Sequence, residues 1–175
     1  MLSLVDRLSN PADAGFMDRT QVEQPVADLM TEQASAGFIV RRAGAADLPA
    51  LGEFFAGLSA RTRYLRFFAP VTPNPALLRL LCGESGGAGG AGGADAVVAV
   101  RDGAIIGHAM AADAAPGSQE APVPDIGIVV DDAWQGRGVG AALMRALIAA
   151  VQARGVTTLA MDVLQGNRKV LAMIS

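Results

Sequence analysis

Asp125-Ile126-Gly127-Ile128-Val129-Val130-Asp131-Asp132-Ala133-Trp134-Gln135-Gly136-Arg137-Gly138-Val139-Gly140-Ala141 decides the fold, because its periodicity changes partway along. Ile126, Ile128 and Val130 alternate with Gly127 and Val129, and both sets are apolar or small. That pattern suits a strand covered on both faces. The acidic pair Asp131-Asp132 breaks it. From Val139 onward, Val139, Leu143, Ala146, Leu147, Ala150 and Val151 recur at three- and four-residue steps, which is one face of a helix. Strand, turn and helix in that order point to an α/β fold.

The turn carries the chemistry. A helix start leaves backbone N–H groups unpaired at a positive dipole end, so it attracts phosphate. Gly136, Gly138 and Gly140 lack Cβ atoms and let an anion come close, and Arg137 adds charge. The same glycines would also serve a turn that needs them for backbone geometry alone, and a Gly-x-Gly-x-Gly run does not separate the two readings.

The longer pattern does. Gln135-Gly136-Arg137-Gly138-Val139-Gly140-Ala141 resembles the Q/R-x-x-G-x-G/A signature of the Gcn5-related N-acetyltransferases, the GNAT superfamily. The preceding Val-Val-Asp-Asp-Ala-Trp is similar to that family's fourth strand and its exit. The resemblance runs from Phe38 to the end. It implies acetyl-CoA as co-substrate, its pyrophosphate held by Gln135 to Ala141 and its pantetheine arm lying along Ile128, Val129 and Val130. It also implies a mixed, mostly antiparallel sheet with helices on both faces. That sheet is splayed open between the strands at Ile126–Val130 and Leu159–Val163. Asn167 falls at the asparagine of the family's second CoA-contacting element. Family members continue past the position of Ser175, so the last strands are expected to be missing from this chain.

A second stretch, Leu58-Ser59-Ala60-Arg61-Thr62-Arg63-Tyr64-Leu65-Arg66-Phe67-Phe68, resembles a segment of the bacterial protein-lysine-acetylating, Pat-type members. It implies a lysine of a protein as acceptor, with acyl-CoA synthetases favoured, and it allows a homodimer. Tyr64, Leu65, Phe67 and Phe68 read as core. Arg61, Arg63 and Arg66 read as a solvated face, with the holding of an acceptor protein as the sharper alternative.

Forming an amide from a thioester needs a base for the amine's proton and a donor for the developing oxyanion. Pat-type relatives place a glutamate on or beside the fourth strand. The matching residue here is Asp125, with Glu120 in the preceding loop as second candidate. A backbone N–H near Val130 would serve the oxyanion. Many relatives carry a tyrosine acid in the last helix; Val170 to Ser175 has none, and Tyr64 is the sole tyrosine. Three other functions fit parts of the pattern: a dinucleotide-binding domain, a non-catalytic CoA-sensing module and a small-molecule amine acetyltransferase. Against the first, Asp131 to Gln135 separate the strand from the glycines, where that motif has a tight turn.

The rest of the chain sets bounds. Its 175 residues suit one ordinary domain. Hydrophobic residues make up 51% but aromatics only 5%, so Ala, Val and Leu must do most of the packing. A net charge of −3 argues against nucleic acid as partner. Lone Cys82 excludes an internal disulfide and fits a cytoplasmic setting, and one His and one Cys argue against a dedicated zinc or other metal site. No apolar run spans a membrane. Residues 1–37 read as a partly helical, partly disordered extension and 38–175 as the acetyltransferase domain, with a flexible Gly/Ala loop at 83–94. Strands are expected at Phe38–Arg42, Asp95–Arg101, Ala104–Ala111 and Thr157–Val163. Helices are expected from an Asp47 cap and over Pro73–Leu81.

Overall fold

The computed structural model describes residues 37–69, 71–84, 94–113 and 123–161. The N-terminal extension, most of the Gly/Ala tract, Glu120, Asn167 and the final helix lie outside the described residues. In chain order the elements are β1 (Ile39–Arg42), α1 (Leu48–Gly57), α2 (Ala60–Phe67), α3 (Pro75–Leu81), β2 (Ala94–Arg101), β3 (Ala104–Ala112), β4 (Asp125–Val130) and α4 (Val139–Gln152).

The strands pair as an antiparallel sheet in the order β1-β2-β3-β4. Asp102 (φ 49) and Gly103 (φ 81) close the β2–β3 hairpin, both with the positive φ that a tight two-residue turn matching strand twist requires. Among the described residues the one parallel contact is a bridge between Asp125 and Ala160. Ile126 N–H donates to the Ala160 carbonyl at 2.8 Å, and Ala160 N–H to the Pro124 carbonyl at 2.9 Å. The sheet is thus mixed and mostly antiparallel, as the resemblance implied.

The strand expected from Thr157 begins pairing later than its pattern suggested, at Ala160. In the register set by Asp125 and Ala160, residues 157–159 lie beyond the start of β4. Pro124 beside them has no N–H to offer, so pairing begins only at Ala160.

Alanine-rich strands let the helices come close. On one face, α4 packs Leu143, Leu147 and Val151 over Val97, Ala99, Ile106, Ala109 and Ile126. Gly107 is needed there. A Cβ on it would lie 2.8 Å from Leu143 Cδ1 and 3.1 Å from Val139 Cγ1. On the other face, Leu51, Phe54 and Phe55 of α1 and Leu81 of α3 cover Ala96, Val98, Ile105, Met110 and Val129. Helices on both faces follow from strands that are apolar on both sides.

Three local readings are corrected. Asp47 does not cap α1 with its side chain. Its carboxylate instead takes both Arg41 nitrogens, at 2.8 and 2.6 Å, and the Gly44 N–H at 3.0 Å. A two-pronged guanidinium outcompetes a backbone donor. Tyr64 and Phe68 are exposed, at 47% and 43%, rather than core. Helix α2 turns Thr62, Arg66 and Phe67 inward, and helical spacing puts Tyr64 on the other side. Arg66 is not part of a solvated face. Arg63 is also engaged, donating to the Phe55 and Ala56 carbonyls at 3.3 and 3.1 Å at the end of α1.

Candidate active site

Antiparallel pairing sends alternate residues of β4 to opposite sides in the sheet plane. Two bonds fix which. Asp131 N–H donates to the Ile106 carbonyl on the β3 side, and Ile126 N–H donates to Ala160 on the far side. By that alternation Gly127 and Val129 are bonded to β3, while Ile128 and Val130 turn their N–H and C=O groups away from it. The Val130 carbonyl indeed accepts the Gln135 side-chain amide at 3.1 Å, from the far side. Of the three strand residues expected along the pantetheine arm, Ile128 and Val130 face that edge. The backbone of Val129 does not, and its side chain is buried against the α1 layer.

The turn beyond β4 is built by its own side chains. Asp131 accepts the Ala133 N–H at 2.8 Å and starts a single 3₁₀ turn, Asp132–Trp134. Gly136 (φ 75) and Gly138 (φ 82) then adopt the left-handed conformation that glycine tolerates. A Cβ on either would meet nothing within 4 Å, so the space beside them is open. Gly138 is the N-cap of α4 and carries no capping side chain, and the first intrahelical bond is Ala142 N–H to the Gly138 carbonyl. Val139, Gly140 and Ala141 therefore begin α4 without helical partners for their N–H groups. No acidic residue stands in that first turn. Arg137 and Arg101 lay their guanidinium groups over the Trp134 ring, at 5.0 and 4.7 Å from its centroid. Arg101 is also paired with Asp102, so Arg137 and the row of free N–H groups are what make this corner fit a phosphate-bearing group.

Helix α2 is fastened to the same corner, which the sequence reading missed. Ser59 caps α2, its hydroxyl accepting the Thr62 N–H at 3.1 Å. Asp132 then takes the Ser59 N–H at 3.1 Å, the Ser59 hydroxyl at 2.9 Å and the Thr62 hydroxyl at 2.7 Å. Burial alone would raise the Asp132 pKa, but the Thr62 and Ser59 donors prevail and hold it below its usual range. Ser-x-x-Thr before a helix was a readable cap signal. Its remote partner was not.

Between α2, α3 and β4 lies a cavity of about 340 Å³. Its walls are mostly apolar and include Leu65, Phe67, Leu77 and Met110, with Met161 at one end. Among the described residues lining it, Arg66 and Asp125 alone carry charge. Asp125 is exposed at the start of β4. Arg66 projects from α2 onto Gly127, where an added Cβ would clash with three guanidinium atoms. A glycine inside a strand signals such a close approach, and the sequence offered that sign. Burial lowers the Arg66 pKa to about 10, which leaves it charged at neutral pH.

His108 lies behind this wall. It is fully buried against Phe55, with Nε2 2.8 Å from the Leu81 carbonyl. Desolvation, with the Arg66 charge beside it, lowers its pKa to about 3, so the ring is neutral and serves packing. Cys82 is buried too, and burial raises its thiol pKa. Among the described residues no three His, Cys, Asp or Glu converge as a metal site would require, and no helix is long and apolar enough to cross a membrane.

Residues 66–174 match the profile of the family described as the acetyltransferase (GNAT) family. No curated protein matches the chain. Among solved structures, the GNAT domain of S. lividans PAT is 25% identical with a TM-score of 0.65, covering 77% of this chain and 76% of that one. A ribosomal-protein-alanine N-acetyltransferase from Brucella melitensis is 22% identical with a TM-score of 0.62, covering 77% and 80%. A phosphinothricin acetyltransferase from Sinorhizobium meliloti, in complex with AcCoA, is 22% identical with a TM-score of 0.61, covering 78% and 71%.

Proposed function

Since the chain belongs to the acetyltransferase (GNAT) family, whose members move the acetyl group of acetyl-CoA to an amine, we propose that its acceptor is the side-chain amine of a lysine in a protein. The observation that carries the family chemistry is the continuity of two donor sets. The outward N–H groups of Ile128 and Val130 lead directly into the glycine turn and the open first turn of α4. A molecule with a pyrophosphate at one end and an amide-bearing arm at the other matches that line of donors.

On this reading Gln135 to Ala141 hold the pyrophosphate, Gln135 by bracing the turn against the Val130 carbonyl, and the arm lies along Ile128 and Val130. The acceptor amine enters through the cavity beside Asp125. A lysine amine is an ammonium at neutral pH and cannot attack. Asp125 removes its proton through water, the neutral nitrogen attacks the thioester carbonyl, and the Val130 N–H stabilises the oxyanion. The C–N bond forms, the C–S bond breaks, and the second proton of the amine passes to the departing CoA thiolate, which leaves as the thiol. Tyr64 is exposed on the outer side of α2, so no tyrosine acid is assigned to the thiolate. Glu120 and Asn167 keep their proposed roles as alternative base and second CoA contact. The lysine assignment rests on the Leu58–Phe68 resemblance, as does the choice of acyl-CoA synthetases.

A second acceptor reading, a small amine, is favoured by the apolar, half-open cavity, whose size is that of a small-molecule site. Incubation with acetyl-CoA and a cell lysate, followed by mass spectrometry, tests the first reading, and it predicts new acetyl-lysines. The base is tested by kinetics. Asp125→Ala should lower turnover roughly a hundredfold to ten-thousandfold while acetyl-CoA binding persists. If Glu120→Ala shows that loss and Asp125→Ala does not, the base lies in the preceding loop. Acetyl-CoA binding without transfer to any amine would leave a CoA-sensing module.

A further inference from the structure

Among the described residues lining the cavity Arg66 is the one arginine, and its surroundings are unlike those of other arginines. Arg41 of β1 is paired with Asp47, and Arg42 of β1 and Arg154 beyond α4 are paired with Asp95. Arg66 has no carboxylate partner among the described residues. Its Nε is closed off from solvent and makes no hydrogen bond there. Its companions among the described residues are the Phe67 ring, 5.0 Å from the guanidinium carbon, and the bare Cα of Gly127. The neighbouring His108 offers no compensation, since its Nε2 is taken by the Leu81 carbonyl. Arg66 is half-buried with its Nε closed off, and a cation so placed without a carboxylate partner among the described residues is free to meet one brought by a ligand.

We propose that, besides a protein lysine, the cavity takes as acceptor a small amine bearing a carboxylate, and that Arg66 binds that carboxylate. The inference rests on the second acceptor reading above, a small amine in this cavity. Its chemistry follows from the walls. A guanidinium presents a planar fork that matches a carboxylate with two parallel bonds. One cation balances one negative charge. Asp125, the other charged residue lining the cavity, suits the amine end. The apolar walls between suit a hydrocarbon frame. Gly127 gives the guanidinium its seat, because any side chain there would displace it. Arg66 therefore fixes the acceptor's orientation and selects for its acid form.

The test compares a panel of amino acids with their carboxamides as acceptors, with acetyl-CoA saturating. The acids should be preferred in kcat/KM by roughly a hundredfold. Arg66→Gln should erase that preference by raising KM for the acids, leaving acetyl-CoA affinity and melting temperature near wild type. Arg66→Lys should restore part of it. Gly127→Ala leaves the arginine in the chain but evicts it from its seat, and should mimic Arg66→Gln. Equal turnover of acids and amides by the wild type overturns the proposal without reference to any variant. Acetylation of protein lysines alone also overturns it, while leaving acetyl transfer standing. Failure to bind acetyl-CoA would overturn the functional reading beneath it as well.

Discussion

The Thr62 hydroxyl donates to Asp132 Oδ1 at 2.7 Å, joining residues 70 positions apart in sequence. The bond ties the first turn of α2 to the exit of β4. It thereby holds the helix that walls the cavity against the corner that carries the glycine turn.

Asp132→Ala should therefore loosen α2. Three hydrogen bonds to an exposed carboxylate end with it, and solvent screening reduces their worth to about 1 kcal/mol. The folded-state pKa of Asp132 lies below its unfolded value. Its contribution is thus fully present above the unfolded pKa, about 3.9, and is lost as pH falls through the folded value. Urea denaturation should show wild type more stable than the variant at pH 7, with the gap closing below about pH 4. A constant gap across that range would show that the carboxylate charge is not what holds α2.

Gly107→Ala should strike the other layer. The new methyl would sit 2.8 Å from Leu143 Cδ1 and 3.1 Å from Val139 Cγ1, both buried in the α4 packing. Overpacking of this kind costs about 1 to 3 kcal/mol. Val139 is the first residue of α4, so the shift reaches the helix start. Thermal unfolding should drop, and calorimetry should show weaker acetyl-CoA binding. A large fall in stability with unchanged affinity would mean that α4 absorbs the methyl away from its N-terminus.

His108 gives a pH signature. Its folded pKa is about 3, below the unfolded value of about 6.5. Between those values the unfolded chain binds more protons, so stability is complete above about pH 6.5 and falls as pH drops. His108→Phe removes that slope, and it leaves the Leu81 carbonyl without its partner at a cost of about 1 to 3 kcal/mol. Denaturation between pH 5 and 7 should show wild type losing stability and the variant staying level, from a lower start. Equal slopes would place the proton uptake elsewhere.

Much of this was readable in the chain because it depends on neighbours in sequence. The alternation of Ile126 to Val130, the switch of period at Val139 and the Asp102-Gly103 turn each encode a local conformation, and β4, α4 and the hairpin formed where those signs stood. Asp47 and Arg66 went differently. Each has a side chain whose partner is set by tertiary packing, Arg41 for one and Gly127 for the other. An exposed-looking arginine among arginines gives no sign of turning inward, although Gly127 was an indirect one. Thr157 to Val163 has the composition of a strand, but how far it pairs depends on where its neighbour begins.

The most direct test of the central claim, that acetyl-CoA lies along β4 and ends at the start of α4, is amide hydrogen exchange with and without acetyl-CoA. Protection should rise at Ile128 and Val130, whose N–H groups turn away from β3, and at Val139, Gly140 and Ala141. Gly127 and Val129, already bonded to β3, should change little. Added protection confined to other parts of the chain, or none on saturation with acetyl-CoA, would contradict the account.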